Sequence, residues 1–198
     1  MKTGDILLFD YENCGVFGCF TKCLKCCTRS QYSHIGMILV DPVYIDPKLK
    51  GTYVWESTWN GTTDPQDGKI KLGVQITPLE ELIHEYAHNG HIYYRSVRCP
   101  ENTFNPEILS QIHTKVYNKP YDIVPTDWIE AFLRVDPSPQ KISRFWCSAL
   151  VGYIYTMCGV IDKHTDWSML RPSDFSLEME NLIFNKFCSL DNTQKRVF

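Results

Sequence analysis

The sequence predicts an α+β domain: an antiparallel sheet spanning Asp5 to Val97, with a later helix around Cys147 packed against it. Three observations lead there. Short strand-like apolar runs separated by turn signals fill the first half of the chain. The stretch from Arg144 through Cys158 places Cys147, Leu150, Val151, Ile154 and Cys158 on one stripe at helical spacing. At 198 residues with 43% hydrophobic content, the chain suits one domain over residues 1–198 with a real core.

The elements follow in order. Ile6-Leu7-Leu8-Phe9, entered from Gly4-Asp5, is the first strand. Five of the nine cysteines crowd into positions 14 to 27, a cysteine-rich insertion reaching residue 29. Three readings of it stand side by side: a short packed helix of small apolar cysteines, a zinc site using Cys23 and Cys26, and reversible acylation beside Lys22, Lys25 and Arg29. The last implies peripheral membrane association through Cys14 to Cys27. With an odd cysteine count and no signal peptide, the set does not form a disulfide framework, so an intracellular, cytoplasmic setting is expected.

Tyr32 to Val40 is the next strand, its alternation blurred as in a sheet covered on both faces. Asp41-Pro42 and Asp46-Pro47 turn the chain. Thr52 to Thr58 pairs antiparallel with the preceding strand. Asn60 to Gly68 is a polar loop, and Val74 to Ile76 resumes the sheet. Thr77-Pro78-Leu79-Glu80 starts a helix with Thr77 as the capping hydroxyl, running to about His88. His91 to Val97 is a strand. Asn105-Pro106-Glu107 opens a helix whose apolar line is Ile108 or Leu109, Ile112 and Val116. Trp128 and Phe132 sit in a loop, and Pro137 and Pro139 break the chain before the Cys147 helix. Arg171 to Phe175 is a turn. Leu182 to Phe187 carries a short helix or strand, and residues 189–198 form a frayed tail from about Asp191.

Net charge is −3, which does not favour a nucleic-acid binder. No apolar run approaches a membrane span. No cofactor or resident metal is expected.

Chemistry concentrates at Cys147. The first turn of a helix has unpaired N–H groups and a partial positive charge, which favour a thiolate and can bind an oxyanion formed beside it. Such a nucleophile needs a base and a group to orient that base. His34 and Glu56, on strands expected to be adjacent, supply them. Taken alone, Cys147 reads as inert packing and His34 as a surface or satisfied structural histidine; the rest of the pattern raises the catalytic reading.

Gly4-Asp5-Ile6-Leu7, Ser33-His34-Ile35-Gly36, Glu56, the strand with Arg95, Tyr121-Asp122, Trp146 to Val151 and Pro172-Ser173-Asp174 follow a familiar order. Over roughly residues 1 to 176 the chain resembles the YiiX-like branch of the circularly permuted papain-like, NlpC-type cysteine hydrolases. That group includes poxviral members, and the lecithin retinol acyltransferases are related to it. The resemblance implies a permuted papain-like fold in which histidine precedes cysteine. It also implies Cys147 as nucleophile, His34 as base and Glu56 as the residue orienting it, with acyl transfer from an amide, ester or thioester. The substrate class it implies is peptide-like or a lipid acyl group, and a viral or virion-associated setting is compatible. Tyr121, Asp122, Trp146 and Ser148 are the candidate substrate-binding residues, although Tyr121-Asp122 reads equally as a turn locking the preceding helix. The family usually carries an acid two places after the nucleophile. Here that residue is Ala149, so no contact from such a carboxylate is expected.

Two other functions compete. His84-Glu85-Tyr86-Ala87-His88 matches the zinc-peptidase H-E-x-x-H pattern, with Glu85 as base. Against it, the helix is short and His91 already begins a strand. Alternatively the same shell serves as a non-catalytic module binding lipid or membrane surfaces.

Overall fold

A computed structural model describes residues 1–11, 30–87, 90–122 and 142–197. The Cys14 to Cys27 segment with all three of its readings, His88, Trp128, Phe132, Pro137 and Pro139 lie outside those residues. The strands are β1 (Ile6–Tyr11), β2 (His34–Val40), β3 (Thr52–Thr58), β4 (Thr63–Asp64), β5 (Lys69–Ile70), β6 (Gly73–Pro78), β7 (Gly90–Arg95), β8 (Val97–Arg98), β9 (Ser189–Leu190) and β10 (Lys195–Arg196). The helices are α1 (Leu79–Tyr86), α2 (Pro106–Val116) and α3 (Cys147–Met157). Single 3₁₀ turns occupy Trp167–Met169 and Pro172–Phe175.

The main sheet runs β10-β7-β1-β2-β3-β6, and each neighbouring pair is antiparallel. The protein is therefore α+β with a large antiparallel sheet. Strand alternation distributes the apolar residues over both faces. Ile6, Leu8, Ile35, Met37, Leu39 and Trp55 join the larger core with Leu150, Val151 and Ile154 of α3 and Leu109, Ile112 and Val116 of α2. Leu7, Phe9, Ile38 and Val54 face the other way, against Leu82 and Tyr86 of α1. Burial of both faces is why the strands read as nearly continuous apolar runs. Helix α3 is buried all round from Cys147 to Tyr155, not only along its expected stripe.

Close approach of β2 to β3 depends on Gly36. A Cβ there would lie 2.3 Å from Val54 Cγ1 and 3.4 Å from Glu56 Cβ. Gly36→Ala is expected to cost about 1–3 kcal/mol in urea denaturation, because a packed sheet yields only by displacing β3. An unchanged midpoint would contradict this packing.

Several expectations need correction. Thr77 does not cap α1: Pro78 is the N-cap and no side chain caps the helix. Thr77 belongs instead to β6, where its register against Val54 makes it a buried sheet residue. Helix α1 ends at Tyr86, with Ala87 as its C-cap, short of His88. The polar loop after Asn60 contains the β4–β5 hairpin. Leu182 to Phe187 forms no helix or named strand; its contribution is an isolated bridge between Phe184 and Ile161.

The tail beyond Asp191 is not frayed through residue 197. β10 pairs with β7, and Val197 N–H donates to the Ile92 carbonyl at 2.8 Å. The buried Arg95 fastens this region, donating from Nε to the Asp191 carbonyl at 2.8 Å and from Nη1 to the Phe175 carbonyl at 2.8 Å. Its Nη2 pairs with Glu180 Oε2 at 2.5 Å. A fixed guanidinium fork thus holds strands too short to show any periodicity.

Candidate active site

The site forms where the first residue of β2 meets the first residue of α3. His34 opens β2 and lies opposite Phe9 of β1, with the two rings 5.1 Å apart. Glu56 lies on β3, fully buried. Alternation puts Glu56 on the same face as Val54, and Gly36 beside both leaves room for the carboxylate. His34 Nε2 meets Glu56 Oε2 at 2.6 Å. The Cys147 side chain lies beside the same ring and favours its charged form. Because Nε2 is engaged by Glu56, the nitrogen left for sulfur is Nδ1.

The electrostatics follow from those partners. Burial pushes the His34 pKa down, but the neighbouring Cys147 and Glu56 outweigh it. The result is a rise from 6.5 to about 10. A buried cation is tolerated here because a buried carboxylate is bonded to the ring and a thiol lies beside it.

Glu56 is itself held rigidly. Its Oε1 accepts from Thr77 Oγ1 at 2.6 Å and from Asn60 Nδ2 at 3.1 Å. Gln75 Nε2 in turn donates to Asn60 Oδ1 at 2.9 Å and Thr77 Oγ1 at 3.0 Å. Asn60 is fixed further by Thr62, whose hydroxyl donates to Oδ1 at 2.7 Å. The hydroxyl next to Glu56, Ser57 Oγ, donates to the Phe145 carbonyl at 2.6 Å. That bond ties β3 to the backbone two residues before Cys147, so one strand positions both the carboxylate and the approach to the thiol.

The other candidates divide. Tyr121 lies beside Cys147, and its phenol is pushed well up by burial and then by the neighbouring Cys147 and Asp122 charges. Its backbone bridges in parallel to Phe145. Asp122 turns elsewhere, pairing with Arg144 at 3.1 Å while its N–H donates to the Phe145 carbonyl at 3.2 Å. Trp146 is the N-cap of α3 in extended conformation and provides no side-chain cap. Ser148 is buried, and its hydroxyl donates to the Leu170 carbonyl at 2.7 Å, away from sulfur.

Of the H-E-x-x-H segment, His84 and Glu85 lie among the described residues. His84 is exposed in the last turn of α1. Glu85 instead lies within the field of the site: burial and then the Glu56 charge, opposed by His34, raise its pKa to about 7. Among the described residues, no group of three or more His, Cys, Asp and Glu side chains could hold a metal ion. Also among them, no helix is long and apolar enough to cross a membrane.

Residue-by-residue reading missed Ser57, Asn60, Gln75 and Thr77. The available signal was a run of small polar residues on strands otherwise buried, where each needs a partner. No family model matches the sequence, and no curated protein matches it.

Proposed function

We propose that the chain is a cysteine-dependent hydrolase or acyltransferase of the permuted papain-like type. Cys147 is the nucleophile, His34 the base and Glu56 the residue orienting it. The observation that carries this reading is a single imidazole hydrogen-bonded to a buried carboxylate and lying beside a helix-start thiol. The order of the parts agrees: histidine and carboxylate on successive antiparallel strands, then the cysteine helix packed on that sheet.

In the reaction, His34 Nδ1 already holds the proton it shares with the thiol, in keeping with a ring that stays charged at neutral pH, and sulfur attacks the carbonyl carbon of an amide, ester or thioester. Glu56 accepts from Nε2–H, fixing the ring and stabilising its charged form. The oxyanion of the tetrahedral intermediate meets N–H groups at the start of α3, with the Tyr121 hydroxyl beside the sulfur as a further donor. Collapse expels the amine, alcohol or thiol leaving group, which receives the proton from His34. Water or another acceptor then gives its proton to His34 and releases the acyl group from sulfur. A peptide-like or lipid acyl substrate suits this chemistry.

The test is to mix the protein with p-nitrophenyl butyrate, quench in acid and map the product by mass spectrometry. The expected result is a butyryl adduct on Cys147 that forms and turns over. An adduct confined to other cysteines, or none while nitrophenol release matches a Cys147→Ala control, would defeat the reading.

A further inference from the structure

Far from Cys147, two other cysteines face each other. β8 and β9 pair antiparallel with Val97 opposite Leu190 and Arg98 opposite Ser189. One more step in that register sets Cys99 opposite Cys188. Asp191 N–H donates to the Ser96 carbonyl at 2.8 Å, which makes 96 and 191 a hydrogen-bonded pair. Alternation along the ladder then makes 99 and 188 a non-hydrogen-bonded pair, the kind in which opposed Cα atoms lie closest. That spacing falls within the span a disulfide bridges. Both thiols are free and partly exposed, and each lies close enough to the other for Cys188 to act on the Cys99 thiol.

We infer that Cys99 and Cys188 form an oxidation site, which a peroxide closes into a disulfide that fastens the C-terminal segment to the β8 edge. Cys188 thiol attacks hydrogen peroxide to give a sulfenic acid and one water. Cys99 sulfur then displaces the hydroxyl from Cys188 sulfur, and its proton leaves with that hydroxyl as a second water. Two thiols lose two hydrogens, and one peroxide is reduced to two waters. Burial and the neighbouring Cys188 push the Cys99 thiol up to about 12.

The position gives the bond a consequence. Cys188 immediately precedes β9, and β10 beyond it pairs with β7 in the main sheet. The bridge closes a loop of about 90 residues containing α2 and α3, a length at which cross-linking strongly restricts the unfolded chain. No residue of the proposed active site takes part, so the site stands or falls independently of the acyl-transfer reading.

The experiment treats the full chain with graded hydrogen peroxide, alkylates the remaining thiols with iodoacetamide, and maps peptides without reduction. The expected product is a Cys99–Cys188 linked peptide, two hydrogens lighter than its parts and reversed by dithiothreitol. Tm should rise by roughly 5–15 °C on oxidation and return on reduction. Cys188→Ser should lose both effects, and Cys99→Ser provides the same control if that variant does not fold. Recovery of Cys99 and Cys188 on separate peptides, at peroxide doses that oxidise other cysteines of the chain, would overturn the site. A linked peptide without the rise in Tm would overturn the fastening.

Discussion

In His34→Ala, acylation of Cys147 by an activated ester is expected to slow by about 10²–10⁴-fold, the usual contribution of a positioned base. The alanine variant also strips Glu56 Oε2 of its partner, leaving Oε1 with Thr77 and Asn60. His34→Gln separates the two effects. Glutamine can still donate to Glu56 but cannot take a proton from sulfur, so it should slow acylation as much while preserving the urea midpoint better. Equal labelling of Cys147 in wild type and both variants would favour a binding module on this fold.

Asp5→Ala should cause the largest loss of stability of any single change discussed here, about 3–5 kcal/mol by chemical denaturation. The carboxylate is fully buried and organises the start of the sheet. Its Oδ1 accepts from Ser96 Oγ and Val97 N–H, both at 3.0 Å. Its Oδ2 accepts from Lys2 N–H at 2.8 Å and Tyr94 hydroxyl at 2.6 Å. Alanine leaves those donors facing a cavity, whereas Asp5→Asn keeps one acceptor and should cost less. A loss under 1 kcal/mol in Asp5→Ala would mean that water replaces the carboxylate without penalty. Gly4-Asp5 opens the resemblance noted in the sequence, yet its role here is architectural: it locks β1 to the β7–β8 corner.

What could be read from the sequence, and what could not, follows from range. β2, β3 and α2 were legible because their apolar patterns run for seven residues or more. The start of α2 at Asn105 was legible because helix-start signals are local, and Asn105 Oδ1 accepts from Ile108 N–H at 2.9 Å. Thr77 carries the same local signature before α1, but β3–β6 register brings it to Glu56, and a buried carboxylate outcompetes a helix end for the hydroxyl. β9 and β10, two residues each, are fixed by Arg95 and by pairing, so no periodicity announces them. Glu85 matched a metal-peptidase pattern by spelling, while its surroundings are set by strands distant in the chain. His34, Glu56 and Cys147 were nameable as residues, but their meeting is a property of topology alone.

The most direct test of that meeting is the ¹⁵N titration of the His34 ring by NMR. Cys147 and Glu56 together raise its pKa from 6.5 to about 10, so the ring should stay protonated through pH 8 in wild type. The sign for stability follows: the stabilisation is complete below pH 6.5 and is lost as pH rises through about 10. In Cys147→Ala the sulfur's share disappears and the midpoint should move down toward 6.5. A His34 that titrates near 6.5 in wild type, and does not respond to Cys147→Ala, would contradict the proposed coupling of imidazole and thiol.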